Sequence, residues 1–166
     1  MIGREVFFAY PDFNAPFEIH TDASKFQIGA VISQKGKPID FYSRKMNSAQ
    51  QNYTTTEKEL VSIVETLKEF RNILLGHPIT VYTDHKSLNY KLFNTERVIR
   101  WRLILEEFGP ELKYIKGENN VVADALSRLE MSDNQEILNI SKRYGYNDKD
   151  LSDSAYQFLS RYCQST

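Results

Sequence analysis

The chain has 166 residues, enough for one domain with its own core and a tail. Its 41% hydrophobic and 26% charged residues are those of a globular protein, and its net charge of −1 excludes a strongly basic, histone-like nucleic-acid binder. The single cysteine, Cys163, excludes an internal disulfide framework and a CxxC zinc site. No apolar run approaches membrane-span length, and MIGREVFF lacks a secretory apolar region, so a reducing, intracellular setting is expected.

Residues 1–16 hold Pro11 and Pro16 and show no period; they read as a lead-in that packs against something. From Phe17 the pattern alternates. Phe17, Ile19 and Thr21 face one way; Glu18, His20 and Asp22 face the other. Residues 26–33 predict a second strand, Gly36-Lys37-Pro38 a turn, and residues 39–43 a third strand, together an antiparallel meander. Residues 48–56 are polar and turn-like.

Leu60, Ile63, Val64, Leu67, Phe70 and Leu74 then recur at helical spacing. Thr56-x-x-Glu59 has the form of a capping box, and Gly76 with Pro78 ends the helix. Residues 79–83 predict a short strand running into Asp84. Residues 86–93 and 96–108 predict two helices, the second broken by Gly109-Pro110. Residues 112–115 predict a last strand, and residues 120–129 a last helix. The order β-β-β-α-β-α-α-β-α is that of a mixed α/β domain. Residues 130–166 carry six acidic against four basic side chains, leaving residues 1–129 at +1. They read as an acidic tail, partly helical or a linker.

The carboxylates fall at telling places. Asp22 ends the first strand, and Asp84 follows the fourth. Glu59 heads the long helix and leans toward its apolar face, four residues before Ile63. Asp124 lies among Val121, Val122, Ala125 and Leu126. Acidic groups near buried faces are costly unless paired or bound to a cation, and gathered carboxylates suit a hard ion such as Mg²⁺. Each residue alone also fits an ordinary role: a cap, a dipole-favoured charge or a turn former.

The segments HTDAS (20–24), NYTTTEKEL (52–60), VYTDHKSL (81–88) and KGENNVVADALSR (116–128) resemble the ribonuclease H domain of gypsy-like LTR retrotransposon polyproteins. AYPDFNAPF (9–17) resembles the segment joining the reverse transcriptase part to that domain. The resemblance runs from about Ala9 to Leu129, and the joint order and spacing of the motifs make it specific. It implies a ribonuclease H-like fold, a five-stranded mixed sheet with helices on both faces. It divides the chain into a lead-in (1–16), a ribonuclease H domain (17–129) and the tail (130–166).

It further implies an endoribonuclease that hydrolyses the RNA strand of RNA–DNA hybrids during retrotransposon reverse transcription. The alternatives are a non-catalytic ribonuclease H-like connection scaffold or a domesticated interaction domain. Carried over by motif, the catalytic and metal-binding residues are Asp22, Glu59, Asp84 and Asp124. Glu59 fits the family's register before an apolar stripe, whereas Glu57 lies about 160° away around the helix. The implied cofactors are two Mg²⁺, with Mn²⁺ as substitute, roughly 3.5–4 Å apart. Asp22 is the expected bridging ligand; Glu59 and Asp84 serve one ion, and Asp84 or Asp124 the other.

Candidate substrate contacts are Ser24, Thr54, Thr55, Thr56, His85, Lys86, Ser87 and Asn120, reading 2′-hydroxyls and the sugar-phosphate backbone. Lys86, Lys91, Arg97, Arg100 and Arg102, opposed only by Glu96, form a local positive patch for phosphates. Two divalent ions would bring residues 1–129 from +1 to +5. The implied partners are an RNA–DNA hybrid and the polymerase part of the same polyprotein, with no membrane, in the cytoplasm within virus-like particles. Many ribonucleases H carry a histidine in the loop before the last catalytic aspartate; GENNVVA, between Lys116 and Asp124, holds none.

Overall fold

The computed structural model describes residues 9–86 and 95–128. The strands are β1 (Phe17–Ala23), β2 (Gln27–Gln34), β3 (Lys37–Lys45), β4 (Ile79–Thr83) and β5 (Glu111–Tyr114). The helices are α1 (Ser48–Gln51), α2 (Thr55–Glu69), α3 (Arg71–Leu74), α4 (Glu96–Phe108) and α5 (Val121–Ser127), the last preceded by a 3-10 turn at Gly117–Asn119. The sequence-predicted helix over residues 86–93 and the tail over 130–166 lie outside the described residues, apart from Lys86.

One sheet has the order β3-β2-β1-β4-β5. β1, β2 and β3 form the antiparallel meander, while β4 runs parallel to both β1 and β5. The β2–β3 hairpin turns at Lys35 and Gly36, with φ of 51° and 73°. Two successive positive φ values match the twist of a tight hairpin. The turn therefore lies one to two residues earlier than the predicted Gly36-Lys37-Pro38, and Lys37 and Pro38 join β3.

Side chains alternate across the sheet. Phe17, Ile19, Ile28, Ala30 and Ile32 bury themselves against Leu60, Ile63, Val64 and Leu67 of α2, with Val98, Leu105 and Phe108 of α4 completing the core. α5 packs on β1, β2 and β3 from the other face, where Gly29 replaces a side chain. A Cβ on Gly29 would stand 2.4 Å from the Ser127 nitrogen and 2.6 Å from the Ala123 carbonyl oxygen. The glycine thus lets the α5 backbone approach the sheet closely.

Two local expectations are corrected. The capping box of α2 is formed by Thr54 and Glu57, not Thr56 and Glu59: the Thr54 hydroxyl accepts from Glu57 N–H, and the Glu57 carboxylate accepts from Thr54 N–H. The long helix also ends earlier than its apolar spacing suggests. α2 is capped at Phe70, and Leu74 belongs to the separate short turn α3. Residues 9–16, read as a lead-in, are tied to the meander. Ala9 N–H donates to the Pro38 carbonyl, and the Gln34 amide donates to the Asp12 and Ala15 carbonyls.

Candidate metal centre

The fold brings three acidic residues to one edge. β1 and β4 are parallel neighbours, so their C-terminal ends lie together, placing Asp22 near Asp84. Ligands commonly bind at such carboxyl ends of strands. α2 begins at the same edge; the Thr56 hydroxyl lies 3.0 Å from His85 Nε2, just past β4. Glu59 comes from the α2 layer, while Asp22 shares the sheet face of its register partner Gly29, on the α5 side. Their carboxylates converge at the C-terminal end of β1. Asp22, Glu59 and Asp84 each offer a carboxylate oxygen, all within 4.8 Å of one another.

This juxtaposition is unfavourable without a counter-charge. Burial, then the neighbouring Asp22 and Asp84 carboxylates, push Glu59 up to about 9, against a weaker opposing hydrogen bond from the Ala23 backbone. Its Oε2 is buried with no protein hydrogen-bond partner. Burial also raises Asp22, with Asp84 and Asp124 adding to the rise. The Ser127 hydroxyl bond and the charge of Arg128 oppose it. A cluster of oxygen donors that repel one another, with an orphaned buried oxygen, has the character of a hard-cation site.

Asp124 stands outside that group of three. It lies in α5, and its Oδ1 accepts from Arg128 Nε at 2.7 Å. Asn120 precedes α5 and is buried; its side-chain amide donates to the Thr21 carbonyl of β1 at 2.8 Å. That bond ties the start of α5 to the central strand.

The family model described as the RNase H-like domain found in reverse transcriptase matches residues 12–108. The chain belongs to this family. The RNase H-like domain is 43% identical over 138 residues to the retrovirus-related Pol polyprotein from transposon 297 of Drosophila melanogaster, covering 81% of this chain and 13% of that protein. It is 41% identical over 132 residues to the Pol polyprotein from transposon gypsy of the same fly, covering 77% of this chain and 13% of that protein. The chain thus spans about an eighth of the length of these relatives. Among solved structures, the foamy viral protease-reverse transcriptase in complex with RNA/DNA hybrid aligns with a TM-score of 0.56 at 27% identity, over 64% of this chain and 16% of that one. The same enzyme in complex with dsDNA aligns equally well, over 25% of its chain. The ribonuclease H-like fold class expected from the motifs is the fold observed.

The RNase H-like domain distributes the remaining candidates unevenly. Thr54, Thr55 and Thr56 begin α2; the Thr54 hydroxyl is engaged in the cap with Glu57, and Thr56 meets His85, the residue after Asp84. Ser24 shapes the β1–β2 turn: its hydroxyl donates to the Gln27 carbonyl and accepts from Phe26 and Gln27 N–H. Lys86 lies over the Tyr114 ring at 5.0 Å. Arg97 stacks on Tyr53 at 4.3 Å and lies 3.7 Å from Glu57; Arg100 pairs with Glu96. Ser87 and Lys91 lie outside the described residues. Among the described residues no helix is long and apolar enough to cross a membrane.

Ser127 is a site neighbour that sequence reasoning did not single out. It stood inside the ADALSR motif, but its partner is 105 residues away. No local pattern announces such a contact.

Proposed function

We propose that this domain is a metal-dependent endoribonuclease that hydrolyses the RNA strand of RNA–DNA hybrids during retrotransposon reverse transcription. The observation that carries the reading is the convergence of Asp22, Glu59 and Asp84 at the joined ends of β1 and β4. The site fits Mg²⁺ or Mn²⁺: its donors are all carboxylate oxygens, and Glu59 Oε2 is buried and unpartnered. Asp22, Glu59 and Asp84 would hold the ions, with Asp124 as the fourth ligand once it leaves Arg128. Two bound divalent ions supply Lewis-acid activation of a water and neutralise charge that develops at the scissile phosphate.

The protein's own part is to gather and aim. Asp22 sits on the central strand between the other elements, which suits it to bridge. Thr54, Thr55 and Thr56 at the start of α2 and the His85 ring beside Asp84 would supply sugar and phosphate contacts on a hybrid's minor-groove side. Lys86, and Arg97 and Arg100 on release from Glu57 and Glu96, would supply positive charge for the phosphates. The hybrid-bound foamy viral enzyme among the structural neighbours supports this choice of substrate. We assign residues 17–129 to the nuclease domain, 1–16 to the link from the polymerase part, and 130–166 to an acidic tail. The polymerase part of the same polyprotein would hold the hybrid in register, in the cytoplasm within virus-like particles.

The test is cleavage of a labelled hybrid by the 166-residue chain, alone and joined to the polymerase part, with Mg²⁺ or EDTA. Wild type should cut only with metal, and Asp84→Asn should not cut. Cleavage that survives EDTA or the substitution refutes the metal-centred reading. No cleavage even with the polymerase part joined favours the scaffold alternative.

A further inference from the structure

Ser127, in the last turn of α5, is fully buried. Its hydroxyl donates to Asp22 Oδ2, and the Asp124 carbonyl oxygen lies 2.8 Å from the same group. A hydroxyl has one proton to give, and a carboxylate is the stronger acceptor. The bond therefore belongs to Asp22. Each carboxylate has two oxygens, and this one is claimed from outside the acidic cluster.

The surrounding structure is arranged to deliver that hydroxyl. Gly29 is the register partner of Asp22, and the Ser127 backbone nitrogen occupies the space a Cβ on Gly29 would take. On the adjoining peptide, the Leu126 carbonyl accepts from both the Gln27 amide and the Ser43 hydroxyl, at 3.0 and 2.8 Å. Both donors are buried side chains of the meander. The end of α5 is thus fastened to β2 and β3 at the residue just before the one that touches Asp22.

We infer that Ser127 is a positioning residue for the metal centre: by holding Oδ2 of Asp22 it fixes the carboxylate's rotation and leaves the other oxygen for the cation shared with Glu59 and Asp84. The inference rests on the metal-centred reading proposed above. Partners that orient ligand side chains in this way typically govern affinity ten- to a hundred-fold.

The experiment is Mn²⁺ binding by calorimetry to the full chain, in wild type, Ser127→Ala and Ser127→Cys, with thermal unfolding in EDTA as the folding control. Ser127→Ala should bind Mn²⁺ about ten- to a hundred-fold more weakly while retaining cooperative unfolding. Ser127→Cys keeps nearly the same volume but is a poor donor, so it should be as weak as the alanine variant. If packing alone mattered, cysteine would restore affinity, and that result overturns the inference. Affinity of Ser127→Ala within twofold of wild type overturns it equally. A wild type that binds no Mn²⁺ refutes the metal-centred reading and this inference with it. Metal binding that weakens as described, with no hybrid cleavage even when the polymerase part is joined, supports the role of Ser127 and overturns the proposed nuclease activity alone.

Discussion

Replacing Gly29 with alanine adds one methyl group and isolates the closeness of α5 to the sheet. The φ of Gly29 is not positive, so alanine suits the strand backbone. On local grounds the change should stabilise, by about 0.5–1 kcal/mol. Packing argues the other way. The added Cβ meets the Ser127 nitrogen at 2.4 Å, the Ala123 oxygen at 2.6 Å and the Leu126 carbonyl carbon at 2.7 Å, where ordinary contacts begin at 3.4 Å. All three are backbone atoms, so no side chain can swing aside. The helix must withdraw by about 1 Å, loosening the Ser127 bond to Asp22. Overpacking of this kind costs roughly 1–3 kcal/mol. With urea slopes of about 1–3 kcal/mol per molar, the unfolding midpoint should fall by on the order of 1 M. Mn²⁺ affinity should fall with it. A Gly29→Ala variant as stable as wild type, or more so, refutes the claim that α5 is seated through this glycine.

Other outcomes follow from the same geometry. In EDTA, stability should fall as pH rises from about 5 toward 9, because the folded state keeps a proton on Glu59 that the unfolded chain releases near 4.5. The slope should be on the order of 1 kcal/mol per pH unit, and Glu59→Gln should flatten it in denaturation curves at pH 5.5 and 8. Saturating Mn²⁺ should raise the melting temperature of wild type more at pH 8 than at pH 5.5, since ligands must ionise to bind; Asp84→Asn should lose that rise. Thr54→Ala should cost about 1 kcal/mol as a lost cap, while Thr56→Ala should leave the cap intact, as read by urea midpoints. Gln27→Leu should cost about 1–3 kcal/mol, because the buried amide's bonds to the Ser43 hydroxyl and the Leu126 carbonyl are both lost, while the direct bond between those two groups remains.

The sheet was readable because its signals are local, and its acidic edge because the motif resemblance singled out carboxylates that local pattern alone left open. Alternation from Phe17 to Asp22 marked β1, and the stripe through Ile63, Val64 and Leu67 set the register that turns Glu59 inward. The capping box was misread because Thr54-x-x-Glu57 and Thr56-x-x-Glu59 fit the same pattern. What separates them is the burial of Glu59 beside Asp22, a tertiary fact. The break after Glu69 was hidden because Phe70 and Leu74 continue the apolar spacing across it. Ser127, Gly29 and Gln27 left no trace as neighbours of the site, since their partners are distant in sequence.

The 105 residues between Asp22 and Ser127 also set a schedule. Ribosomes add about 5–20 residues each second, so roughly 5–20 s separate the synthesis of these two side chains. Through that interval the Gly29 side of the sheet lacks its helix, and Asp22 has neither the Ser127 hydroxyl nor Asp124 beside it. The acidic edge begins with the first strand of this domain to be made and is completed only with its last helix. A nascent chain stalled before α5 would carry the sheet and three carboxylates without the helix that aims them.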